Sequence, residues 1–211
     1  MLNFDEKYIE LEQQYQFLTI KNATEAAYKE KGSKFIAYTS AISNEEDFKL
    51  FLDDIKSQHP TARHFCYAFR LAVNGEVFRY NDDGEPKNSA GFPIYGQLLS
   101  KELTFVAVIV VRYFGGTKLG VGGLVNAYKT AAKLALDEAE VVIKKLTKKF
   151  ELTYSYELTS TVNSLIHQME LPIISQKFET DCTLVVEVEL DKIDEFKNKV
   201  QQSFGVGLRD L

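Results

Sequence analysis

Five of the chain's twelve glycines fall between Gly115 and Gly123, directly after the apolar run Phe105 to Val111 and directly before a helix-patterned segment. Glycine costs folding entropy and packs nothing, so such a cluster marks backbone that must take unusual dihedrals or approach another group closely. The length and β-branching of Phe105-Val106-Ala107-Val108-Ile109-Val110-Val111 predict a central strand. A helix from about Gly122 to Asp137 follows the glycines, so the chain reads strand, glycine-rich turn, helix.

That succession leaves backbone N–H groups unpaired at the helix start, with the helix dipole behind them, and anions bind at such ends. Arg112 and Lys118 flank the turn and add positive charge, and the planar fork of arginine suits phosphate. No GxxxxGK[ST] or GxGxxG spacing can be read in the segment, so neither nucleotide hydrolysis nor dinucleotide binding is expected. The alternative is that the glycines only permit a tight turn and close helix packing.

Upstream, Ser33 to Ile42 reads as a strand. Asn44 is placed to cap a helix running to about Gln58, and Glu45, Glu46 and Asp47 suit its positive end. Residues 64 to 72 and 76 to 80 form a hairpin pattern around Asn74-Gly75. In its first strand Phe65, Tyr67, Phe69 and Leu71 share one face while His64, Cys66, Ala68 and Arg70 share the other, which makes the second face a candidate site wall. A helix from about Gly91 to Lys101 precedes the central strand.

From Lys148 onward the periodicity gives six short elements in the order β-α-β-β-α-β, a split βαβ arrangement that closes a compact two-layer domain. Val162, Leu165, Ile166 and Met169 form the first helical stripe; Ile193, Phe196, Val200 and Phe204 form the second. Cys182, Leu184, Val186, Val188 and Leu190 line one strand face. Residues 140 to 148, with three lysines and no glycine or proline, read as a short link rather than a long tether.

A net charge of -5 argues against coating nucleic acid through overall charge, and leaves a local basic patch possible. Two cysteines far apart give neither a disulfide framework nor a zinc ribbon, which fits the cytoplasm. No run approaches the ~18 apolar residues of a membrane span. No metal site is expected from the histidines, and no cofactor is indicated.

Asn81-Asp82-Asp83-Gly84-Glu85-Pro86 crowds three carboxylates into four residues. Such a group can hold a hard cation or serve as acid and base, can be a solvated turn, or can pair with Arg112 and Lys118 and position the glycine loop. His64 and Cys66, two apart on a strand, imitate a thiol with its base, but no acidic orienter accompanies them.

Gly32-Ser33-Lys34-Phe35-Ile36-Ala37, Ala62-Arg63-His64-Phe65-Cys66-Tyr67-Ala68, Asp82-Asp83-Gly84-Glu85-Pro86, Ala90-Gly91-Phe92-Pro93 and Arg112 to Leu124 together closely resemble the IMPACT family. The match extends over about residues 17 to 140, and the tail resembles the smaller C-terminal domain of bacterial members. The resemblance implies an α+β protein: a ribosomal protein S5 domain 2-like domain over residues 1–143, then a ferredoxin-like, elongation factor G domain V-like domain over 144–211. Both folds recur in translation proteins, so it also implies RNA or the ribosome as partner. Eukaryotic members act on an amino-acid-starvation kinase through an additional RWD domain, and only about 16 residues precede the matching region here. Lys87-Asn88-Ser89 stands where the family usually has Ser-Gly-Thr, and Asn126 where an arginine is common, which removes a bidentate donor from the helix.

The expectation is therefore a non-enzymatic, translation-linked regulator. Its anion-binding face comprises Arg112, Tyr113, Phe114, Gly115, Gly116, Lys118, Gly120, Gly122 and Gly123, with Arg63, His64 and Lys87 beside it. Asp82, Asp83, Gly84 and Glu85 form a supporting acidic loop. The alternative is a hydrolase or peptidase-like enzyme acting on a small phosphorylated or peptide substrate through Asp82, Asp83 and Glu85; a third is a protein-docking scaffold.

Overall fold

The computed structural model describes residues 15–211. They fall into two compact units, Phe17–Lys144 and a second comprising Lys145–Leu211 together with Tyr15 and Gln16.

The apolar run does become the centre of the first unit. Strand β6 (Val106–Tyr113) lies in the middle of a five-stranded antiparallel sheet that also contains β2 (Thr24–Glu30), β3 (Ser33–Ala41), β4 (His64–Leu71) and β5 (Val77–Asn81), in the order β2-β3-β6-β4-β5. Its residues alternate between two apolar clusters. Val106, Val108 and Val110 pack with α2 (Gly91–Ser100) and α3 (Gly120–Asp137), whereas Ala107, Ile109 and Val111 pack with α1 (Glu45–Gln58). A strand covered on both faces needs apolar residues at consecutive positions, which is why the run shows no polar alternation.

The same sandwiching corrects the expectation for β4. Cys66 and Ala68 lie in the core beneath the helices rather than along an open wall, and Arg70 spends its fork on the carbonyls of Leu103 and Asn74. Only His64, at the strand's start, reaches a cleft.

Helix α1 starts as expected: Asn44 Oδ1 accepts from the amides of Glu46 and Asp47, both at 2.9 Å. Helix α3 starts two residues earlier than its pattern indicated, at Gly120. The link around residue 140 is also strand: β7 (Val141–Lys145) pairs with β1 (Gln16–Ile20), and the Lys21 amide donates to the Glu140 carbonyl at 2.9 Å. Neither five-residue strand carries an apolar alternation long enough to declare itself.

The second unit runs β8 (Thr147–Tyr154), α4 (Thr159–Met169), β9 (Ile173–Phe178), β10 (Cys182–Glu189), α5 (Ile193–Gln202) and β11 (Gly207–Asp210), with sheet order β11-β8-β10-β9. Phe150, Leu152, Cys182, Leu184, Val186 and Val188 face Val162, Ile166, Phe196 and Val200 in one core. Phe204 departs from its expected stripe. Helix α5 ends at Gln202, and Phe204 stands 96% exposed beside Gly205, whose φ of +93° turns the chain away.

In the first unit, one backbone contact locks the glycine segment to the β2–β3 turn. A Cβ built on Gly115 would sit 1.8 Å from the Gly32 carbonyl carbon, and the Gly115 amide donates to Ser33 Oγ at 3.2 Å. Gly115→Ala must therefore push two backbones apart. We predict a loss on the order of 3 kcal/mol, at the upper end of overpacking costs, in a urea unfolding curve with little change in slope.

Candidate anion-binding cleft

Arg112 lies near the end of β6, paired across the sheet with Phe35 on β3 and His64 on β4. Its side chain therefore leaves the sheet on the face covered by α3, and there it is held rather than presented to solvent. Arg112 Nη1 contacts Glu85 Oε1 at 2.5 Å, with the two side chains only 8% and 5% exposed. The same carboxylate oxygen accepts from the Tyr128 hydroxyl of α3 at 2.8 Å. The guanidinium lies 5.6 Å from the ring centroids of both Phe35 and Phe114, close enough for cation–π attraction. The open phosphate fork expected at this position is thus an internal ion pair. A buried guanidinium requires a partner, and Glu85 is delivered to it by the loop after β5.

The other two acids are also committed to structure. Asp82 caps α2: Oδ1 accepts from the amides of Ala90 and Gly91 at 3.0 and 2.8 Å, and Oδ2 from that of Asn88 at 2.8 Å. Asp83 Oδ2 accepts from the Phe65 amide at 2.6 Å, and its carbonyl accepts from His64 Nδ1 at 2.8 Å. A carbonyl cannot donate, so the proton sits on Nδ1 and leaves Nε2 as the free ring nitrogen. The three carboxylates do not converge on an open point. Among the described residues no group of three or more His, Cys, Asp and Glu is placed to hold a metal ion. Ser89 is buried with its hydroxyl on the Pro86 carbonyl, whereas Lys87 and Asn126 are exposed.

What remains open is a cleft of about 450 Å³ walled by Arg63, His64, Glu85, Pro86, Arg112, Phe114, Lys118, Leu119, Gly120, Val121 and Leu124. It lies at the start of α3, and that start has no cap. The N-cap position is Leu119, whose side chain has no acceptor to offer, and among the described residues no side chain bonds the first-turn amides. Arg63 and Lys118 are exposed at the cleft and form none of the ion pairs among the described residues. Phe114 is 59% exposed. Tyr113 points to the opposite sheet face, where its hydroxyl meets His59 Nδ1 at 2.9 Å and Tyr38 meets His59 Nε2 at 2.8 Å. Of the two aromatic residues in the expected anion-binding face, Phe114 is the one in the cleft.

Cys66 does not form a nucleophile with His64. Its thiol donates to the Asp82 carbonyl at 3.0 Å, and burial pushes its pKa up from the ordinary 9.0. Sequence reasoning missed Tyr128, whose position in the apolar stripe of α3 concealed a hydroxyl directed at Glu85; burial raises the pKa of that hydroxyl too.

Geometry and topology together define a mixed α/β protein with several sheets and five helices among the described residues, carrying an uncapped helix start beside a buried ion pair. Residues 31–136 match the family model of the Impact N-terminal domain, and the chain belongs to the IMPACT family. It is 33% identical over 192 residues to an IMPACT family member of Haemophilus influenzae, covering 89% of this chain and 92% of that one. IMPACT family member YvyE of Bacillus subtilis is 33% identical over 156 residues, 74% of this chain and 72% of the relative. A solved crystal structure of a hypothetical protein superposes with a TM-score of 0.70 at 28% identity, covering 93% of this chain and 98% of that one.

Two outcomes follow from the buried network. Glu85→Ala strands the Arg112 charge and is expected to cost about 3–5 kcal/mol, whereas Tyr128→Phe removes one hydrogen bond to a carboxylate and costs about 1.5–3 kcal/mol, both read from denaturant unfolding. The folded state holds the protons of Cys66 and Tyr128 more tightly than the unfolded chain does. Their contribution is therefore complete below the ordinary thiol pKa of 9.0, and stability falls as pH rises above it. Folded protein is expected to leave Cys66 unmodified by iodoacetamide at pH 8, with modification appearing on denaturation.

Proposed function

We propose that this protein is a translation-linked regulator that binds RNA through the cleft at the start of α3. We assign the first unit to the ribosomal protein S5 domain 2-like fold. The second, with its β11-β8-β10-β9 order, we assign to the ferredoxin-like fold of elongation factor G domain V. A regulator of translation works in the cytoplasm, and we propose that location for this protein.

One observation supports it most: an uncapped helix start opens beside two unpaired cations, Arg63 and Lys118, with an exposed phenylalanine at the same cleft. Unsatisfied amides and the dipole attract phosphate oxygens, the cations add long-range attraction, and Phe114 offers a face to an unpaired base. Such contacts tolerate most sequences, since every base has a π-face and every residue of the strand a phosphate. Because Arg112 is occupied by Glu85, the exposed charge comes from residues 63 and 118. Pairing with Arg112 neutralises Glu85, the one acid that lines the cleft, and so removes the repulsion its free carboxylate would exert on a nucleic-acid backbone.

Binding of a fluorescent single-stranded RNA, titrated with KCl, checks this. Arg63→Ala and Lys118→Ala should each weaken binding and flatten the log–log salt slope by about 0.7, the value for one contact to a single strand. Absence of binding at low salt, or wild-type slopes in both variants, would refute the reading.

A further inference from the structure

The cleft is a half-open hollow, and its donors gather around the start of one helix. Resting on the RNA-binding reading above, we propose that the site recognises a terminal phosphomonoester of a nucleotide chain, with the adjoining base stacked on Phe114.

Three features of the molecule lead there. First, the volume of about 450 Å³ falls within the roughly 300–1,000 Å³ of pockets that enclose a small ligand. An internal phosphodiester must enter and leave with chain on both sides; an end need only enter.

Second, the charge is matched to a dianion. Arg112 and Glu85 cancel, leaving Arg63, Lys118 and the roughly half-unit positive end of an 18-residue helix. A phosphomonoester carries about -1.5 to -2 at pH 7, while each internal phosphate carries one charge. The pairing of Arg112 also leaves something over. This side chain is 92% buried in the cleft wall, and its Nε has no hydrogen-bond partner among the described residues. A buried guanidinium N–H without an acceptor is costly, and a phosphate oxygen entering beside Arg112 supplies one once the side chain shifts to open Nε to the cleft.

Third, Gly122 has no packing reason to be glycine. It lies in the first turn of α3, a Cβ there would meet nothing within 4 Å, and its φ is not in the left-handed region. In a helix, alanine at an unstrained site is more stable than glycine. A bare backbone in that turn lets an anion come within hydrogen-bonding distance of the amides, as glycines do where backbone cradles phosphate.

The experiment compares two fluorescent single-stranded RNAs of one sequence, one with a 5′-monophosphate and one with a 5′-hydroxyl, on wild-type full-length protein, Lys118→Ala and Gly122→Ala. Wild type should bind the phosphorylated RNA at least tenfold more tightly. Gly122→Ala should lose most of that preference while melting at the same or a higher temperature, a combination that simple loss of structure cannot produce. Equal affinity for the two RNAs overturns end recognition and leaves the RNA reading standing; binding of neither overturns both. A preference that survives intact in Gly122→Ala removes the helix start as its source. Competition with nucleoside 5′-monophosphate separates the two possible carriers of this chemistry: equal potency with the RNA retains the phosphomonoester site and overturns RNA as its ligand.

Discussion

The arrangement around α3 depends on the buried pair between Arg112 and Glu85. Arg112 belongs to the central strand, Glu85 to the loop after the edge strand, and Tyr128, which bonds the same carboxylate oxygen, to the helix that covers them. The pair therefore joins sheet, loop and helix at one point. Removing both charges together would cost little by comparison with removing one, because the expense lies in a buried charge left without its counterpart. The geometry fixes the acidic loop, which in turn caps α2 through Asp82 and braces β4 through Asp83.

This gives the glycine segment two jobs that a single explanation would merge. Gly115 is needed because the turn at Gly32 passes within van der Waals reach of its backbone, a packing requirement. Gly122 meets no such requirement, and it stands in the turn whose amides no side chain among the described residues bonds. One part of the motif serves the fold, and the other is available to a ligand. The chain's net charge of -5 is compatible with this, since a helix end and two cations act over a few ångströms while overall charge acts at the Debye distance.

The strand, turn and helix around the glycines were legible because their signals are local: a β-branched run, a glycine cluster, an amphipathic stripe, and an asparagine ahead of three acids. The β-α-β-β-α-β order of the second unit was legible for the same reason. Strands β1 and β7 were not, because each is five residues long and draws its definition from the other. Phe204 continued a helical period on paper but lay past the residue where Gly205 ends the helix. For the site, residue types marked Arg63, His64, Glu85, Arg112, Phe114, Lys118 and Gly120, all of which line one cleft. Their roles did not follow, because composition cannot say whether an arginine meets a neighbouring carboxylate or solvent.

The amino-acid order alone determined which segments become strands and helices, where the chain turns, and that glycine, arginine and lysine meet at the end of a central strand. Whether Arg112 is exposed or paired, which of Tyr113 and Phe114 reaches the cleft, and whether the acids are free were decided only when distant segments packed. Those outcomes turn on burial and on partners many residues away, 27 positions in the case of Glu85 and Arg112. Local sequence sets backbone preference, whereas the state of a charge is set by what surrounds it.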